Sequence, residues 1–151
     1  MKKFKFPLQK VLEYNTHLQK KEKDILSMMR VEYVELERQL NYLIQKYEAE
    51  KQNYLISCQR GTNIINAAMM LNFIKDLQNK IRLQKKKIIE KQSQIDTQAE
   101  KLIAISKDKA TVEKLRENKC LKYRAEEQKS EERFIEEFIA NTASYLSRLK
   151  T

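Results

Sequence analysis

The stretch from Ile74 to Val112, IKDLQNKIRLQKKKIIEKQSQIDTQAEKLIAISKDKATV, decides the fold. Within it Ile74, Leu77, Ile81, Gln84, Ile88, Lys91, Ile95, Gln98, Leu102, Ile105, Lys109 and Val112 recur at alternating steps of three and four. A mainly apolar position every 3.5 residues is the heptad seam of a coiled coil. A strand pattern would have period two. Upstream, Ile25, Met29, Tyr33, Leu36, Leu40, Leu43 and Tyr47 follow steps of 4-4-3-4-3-4, a second seam with one four-residue stutter. Leu8, Val11, Asn15, Leu18 and Glu22 extend that seam toward the N-terminus.

Arg60-Gly61-Thr62-Asn63 separates the two seams. Gly61 suits the left-handed residue that ends a helix, and Thr62 or Asn63 suits the cap of the next. Pro7 suits the first turn of a helix, where its missing N–H costs nothing. If the chain reverses at Gly61, opposed residues share an index sum. Tyr47 with Leu77, Leu43 with Ile81, Leu36 with Ile88 and Met29 with Ile95 all sum to 124. The expected fold is therefore all-α, a long antiparallel two-helix coiled-coil hairpin with a C-terminal helical overhang. One coiled-coil domain is expected over 1–151, with helix 1 at about 7–57, a turn at about 58–63 and helix 2 at about 64–148. Leu8 falls opposite Leu115 or Arg116, which leaves about 35 C-terminal residues without a helical partner. They carry their own apolar stripe, Phe134, Ile135, Phe138, Ile139, Tyr145, Leu146 and Leu149. Such a stripe marks a binding surface or self-association of the tail.

Composition removes most chemistry. With one Gly in 151 residues, neither a GxGxxG nor a GxxxxGK[ST] phosphate loop can be written. His17 is the only histidine, and Cys58 and Cys120 form no CxxC box, so neither a metal centre nor a disulfide framework is expected. The two thiols read as reduced and inert, as in the cytoplasm. Glu126/Glu127, Glu131/Glu132 and Glu136/Glu137 are paired carboxylates, but a two-helix seam offers no pocket to shift their pKa values. No catalytic, metal or cofactor residue is assigned. The longest wholly apolar run, Ala67 to Leu71, is far short of the ~20 residues that cross a bilayer, and the N-terminus lacks a secretory apolar core. Net charge is +10, with the densest basic stretch at 75–91. Its seven basic residues stand against Asp76 and Glu90 and lack interleaved aromatics, so a solvated helix face is expected there rather than a nucleic-acid track.

Specific residues resemble a known family. Phe4-Lys5-Phe6-Pro7-Leu8-Gln9-Lys10-Val11-Leu12 resembles the opening of the flagellar export protein FliJ. Gln39-Leu40-Asn41-Tyr42-Leu43-Ile44 with Tyr47 is similar to the family's first-helix motif, and Phe73-Ile74 with Leu77 and Ile81 to its second. The likeness in length and layout spans nearly the whole chain. It implies a non-enzymatic, cytoplasmic component of the type III export apparatus, peripheral to the membrane. Its implied partners are a hexameric FliI-like export ATPase, a FlhA-like export-gate protein and export chaperones. The implied gate-binding residues are Gln39, Leu43, Phe73 and Leu77; Lys46, Glu50, Lys80 and Gln84 depart from the family's surface. The ends of the rod, represented by Phe4, Phe6, Leu8, Leu115, Phe134 and Phe138, are the expected ATPase contacts. Leu43 and Leu77 also fall on the seams, whereas Gln39 and Phe73 fall beside them.

The competing functions are the equivalent stalk of a virulence secretion system, a basic coiled coil that binds nucleic acid or anionic membrane, and a holdase-like chaperone. No nucleic-acid partner and no membrane insertion are expected for the first reading. None of the readings calls for a cofactor.

Overall fold

The computed structural model describes residues 2–150. Its two helices are α1, Gln9–Arg60, and α2, Ile64–Leu149. They pack against each other as an all-α helical hairpin, with no strand among the described residues. The chain divides into two packing units, one of residues 19–104 and one of residues 1–18 with 105–151.

The unit of residues 19–104 contains the reversal. α1 runs through Arg60, three residues beyond the expected end, because Cys58, Gln59 and Arg60 continue the helix up to Gly61. Gly61 has φ +84°, and its N–H points to the Cys58 carbonyl at 3.4 Å. This is the left-handed glycine that closes a helix. Asn63, not Thr62, supplies the cap: its side-chain oxygen accepts from the Asn66 N–H at 2.7 Å.

Beyond the turn the seam of α2 follows its expected phase. Ile74, Leu77 and Ile95 are buried, and so are the seam amides of Gln84 and Gln98. The seam of α1 differs from expectation. Leu26 is buried at 5% exposure while Ile25 is half-buried, and Gln19 rather than Leu18 keeps the step. Gln19, Glu22, Leu26, Met29, Tyr33, Leu36, Leu40, Leu43 and Tyr47 then follow strict alternation of three and four, without a stutter. A supercoiled seam must hold one phase along its length, and this overrides the choice of the more apolar neighbour.

Cross-helix contacts show the antiparallel order directly. Gln78 donates to the Tyr47 hydroxyl (3.0 Å), Gln84 to Gln39 (3.2 Å) and Lys91 to Glu32 (2.6 Å). Farther along, the Gln98 amide donates to the Glu22 carbonyl at 3.1 Å and also to the Glu22 carboxylate. The ammonium of Lys101 lies 3.1 Å from the same carboxylate. Hydrogen bonds from Gln98 and then Lys101 hold the Glu22 carboxyl below its ordinary range, against the opposing effect of burial.

The other unit contains both chain ends. Pro7 lies before the helix rather than in its first turn. The Gln9 N–H donates to the Phe6 carbonyl at 3.1 Å, so Phe6-Pro7-Leu8-Gln9 is a turn with proline in its preferred second place. Leu12, not Val11, is the buried α1 residue here, at 8% exposure against 42%. Residues 2–6 have no regular structure, yet they continue along α2. Phe6 is 8% exposed, and the Tyr123 hydroxyl donates to the Lys2 carbonyl at 2.7 Å. The uncovered part of α2 therefore starts later than Leu115: every residue from 128 to 150 is exposed.

Candidate protein-docking surfaces

The first surface lies in the unit of residues 19–104. Gln39 and Leu43 are one helical turn apart on α1, as Phe73 and Leu77 are on α2, so each pair shares a face. Burial separates the four. Leu77 is 1% exposed and Leu43 is half-buried, whereas Gln39 is exposed and Phe73 is 37% exposed. The leucines are seam and the other two are surface.

Both surface residues are held in place. The Gln84 amide, anchored on the Leu36 carbonyl at 3.0 Å, donates to Gln39 Oε1 at 3.2 Å. Gln39 in turn donates to Glu35 Oε1 at 3.2 Å. Arg38 grips both oxygens of that carboxylate at 2.9 and 2.7 Å, and with Gln39 it lowers the Glu35 pKa. Phe73 faces Lys46, whose ammonium lies 5.5 Å from the Phe73 ring centroid and 6.0 Å from that of Tyr42. Tyr42 is 59% exposed. The aromatic patch is thus Tyr42, Lys46 and Phe73, a cation resting on two rings. From sequence, Lys46 stands only as a departure from the family's surface and Tyr42 only as part of the first-helix motif, neither as a contact residue. Their signal was i,i+4 spacing on α1; the approach of Phe73 from α2 needs the register to be known.

The second candidate set lies in the unit that holds the chain ends, and the structure does not gather it into one place. Phe4 packs on Tyr123 with ring centroids 5.5 Å apart and planes tilted by 52°. The ammonium of Lys119 lies 5.9 Å from the Phe6 ring centroid. Both phenylalanines are thereby occupied by their own chain. Leu8 and Leu115 are on the margin of exposure. Phe134 and Phe138 are 70% and 65% exposed, one turn apart, next to exposed Ile135 and Ile139. Tyr145, Leu146 and Leu149 repeat that pattern after a further three turns of helix, about 11 residues on. Burial, then the charge of Glu127, pushes the Tyr123 phenol up, so it remains the donor to Lys2 at neutral pH.

No group of three or more His, Cys, Asp or Glu able to hold a metal is present among the described residues. Neither helix is long and apolar enough to cross a membrane. Cys58 is exposed, Cys120 is half-buried, and both are free thiols. Fold and surface together define an all-α hairpin whose ordered polar and aromatic groups face outward, away from any enclosed pocket. The family model for flagellar FliJ protein matches residues 4–145. The chain belongs to this family, a family of non-catalytic export components, and it is a flagellar export-related component. No curated protein and no solved structure matches it.

Proposed function

We propose that the chain is the coiled-coil stalk that couples a hexameric FliI-like export ATPase to a FlhA-like export gate, and that it also assists export chaperones. It acts as a single coiled-coil domain, in the cytoplasm, and reaches the membrane face only through the apparatus. The supporting observation is the pair of separate outward surfaces. The stripe from Phe134 to Leu149 is helical, apolar and uncovered. It suits insertion into an apolar ring lining, where each fully buried Phe, Ile or Leu contributes roughly 1.5–3 kcal/mol. Gln39 and Phe73, with Tyr42 and Lys46, suit the gate contact, and Leu43 and Leu77 support them from the seam.

The reading is tested by adding the intact chain, and the chain ending at Glu127, to the cognate ATPase. The intact chain should promote hexamer formation and hydrolysis, and the shortened one should not. Equal effects, or none from either, reject the assignment of the tail. In parallel, Gln39→Ala with Phe73→Ala should weaken gate binding at unchanged helicity; an unchanged titration rejects that surface.

A further inference from the structure

The N-terminal segment and α2 flank an open groove that the stalk reading does not use. It is lined by Lys2, Lys3, Lys5, Lys119, Lys122, Phe4, Tyr123 and Glu126, with a volume of about 830 Å³. Five ammonium groups share it with one carboxylate. None of the five makes an ion pair among the described residues; the lysine ion pairs involve Lys80, Lys91, Lys101 and Lys109 instead.

This crowding is enforced by the fold. Lys119, Lys122, Tyr123 and Glu126 stand at steps of three, one and three on α2, which is one face of a helix. The other three lysines belong to a segment without helix, which would disperse its charges if it were free. It is fastened at both ends. The Lys2 carbonyl accepts from Tyr123, and Phe6 is buried next to the Pro7 turn. Between the anchors Phe4 leans on the Tyr123 ring. Lys3 and Lys5 are exposed beside it. Like charges along one groove repel one another, the more so at low salt, and a bound multivalent anion removes that repulsion.

We propose that this groove binds a multivalent phosphate, either a nucleoside triphosphate or a free polyphosphate chain. Ammonium groups on flexible stems are point-charge phosphate ligands. The tilted Phe4–Tyr123 pair offers a ring face or edge to a base, the contact that distinguishes a nucleotide from bare polyphosphate. A carboxylate-rich protein helix is the weaker fit, since it spreads its charge along one face while the lysines converge on one groove.

The test is calorimetric titration of the intact chain with sodium tripolyphosphate and with ATP, at low and at physiological salt. Each probe should bind one per chain and weaken as salt rises. Lys3→Gln with Lys122→Gln removes two ammonium groups that have no ion-pair partner among the described residues, so the fold stays intact, as circular dichroism should show. Affinity should fall roughly tenfold or more. Lys85→Gln with Lys86→Gln, in the basic stretch of α2, should change nothing. Tighter binding of ATP than of tripolyphosphate assigns the nucleotide as the source; equal binding assigns the phosphate chain. The proposal is overturned by no binding of either probe, by equal loss in both double variants, or by a single-stranded oligonucleotide that binds across several chains and displaces both. The assay contains neither ATPase nor gate, so its result is independent of the stalk reading.

Discussion

Leu77→Ala and Phe73→Ala should rank in one order for loss of stability and in the reverse order for loss of gate binding. Leu77 is the most enclosed side chain, at 1% exposure, so its truncation leaves a cavity between the helices. Leucine-to-alanine changes in cores cost about 2–5 kcal/mol, and a two-helix seam that can partly close lies at the lower end, about 2–3. Phe73 is 37% exposed and faces the Lys46 ammonium, so its removal admits water instead of leaving a void. The lost apolar burial is about 1.5 kcal/mol. Alanine returns about 0.5 of helix propensity, which leaves a net loss of about 1 kcal/mol. Urea unfolding followed by circular dichroism reads the difference. With a slope of about 2 kcal/mol per molar urea, the midpoint should fall by roughly 1–1.5 M for Leu77→Ala and by roughly 0.5 M for Phe73→Ala. Gate binding, titrated well below either unfolding temperature, should show the reverse order, because a partner cannot touch Leu77. Equal midpoint shifts, or a gate defect in Leu77→Ala as large as in Phe73→Ala, would refute the division into seam and surface.

Gly61→Ala meets no neighbouring atom but forces a β-carbon onto a backbone at φ +84°, so stability should drop by about 1–2 kcal/mol, read as a lower thermal midpoint. Glu22 has a folded pKa below its unfolded value, so its contribution is complete above the unfolded carboxylate range and disappears as pH falls through the folded value. The melting temperature of the native chain should therefore decline on acidification below about pH 5, and that of Glu22→Gln should decline less. Tyr123→Phe removes the donor to the Lys2 carbonyl. Trypsin should then cut at Lys2, Lys3 and Lys5 several-fold faster while helicity is unchanged; an unaltered digestion rate would mean that Phe6 burial alone holds the segment.

The hairpin was legible in the sequence because a long seam is a redundant signal. In α2 the apolar positions Ile74, Ile81, Ile88, Ile95 and Leu102 define the phase repeatedly, and no single residue can mislead. The α1 seam is weaker in its N-terminal half. Ile25 and Leu26 are adjacent and almost equally apolar, and so are Val11 and Leu12, so hydropathy chose one neighbour and geometry the other. The polar residue Gln19 completes the true stripe, and no apolarity count would select it. The surfaces were less legible for a related reason. Gln39 and Phe73 could be placed beside the seam by arithmetic, but the Lys46 contact depends on side-chain reach across two helices. The packing of Phe4 and Phe6, expected ATPase contacts, is missed because pairing is counted helix against helix. A non-helical segment that follows α2 as far as Tyr123 has no period to betray it; only Lys-Lys-Phe-Lys-Phe, with alternate residues apolar, hints that one side is covered.

The polar residues of the seam explain how so thin a core keeps one register. Gln84, Lys91 and Gln98 occupy the same heptad place in three successive repeats, and each spends its polar group on α1: on Leu36 and Gln39, on Glu32, and on Glu22. The alternate layer, Ile81, Ile88 and Ile95, would be satisfied almost equally well one heptad away, since apolar contacts are not directional. The hydrogen bonds would not. A slide of seven residues puts Gln98 and Lys101 near Asn15 or Met29 and leaves the Glu22 carboxylate enclosed without its donors. Buried polar groups without partners oppose such a slide more strongly than the lost packing does. Half of this seam thus holds the helices together and the other half fixes their alignment. That alignment determines which α1 residues stand beside Phe73, so the outward patch of Tyr42, Lys46 and Phe73 depends on amides and a carboxylate buried several turns away.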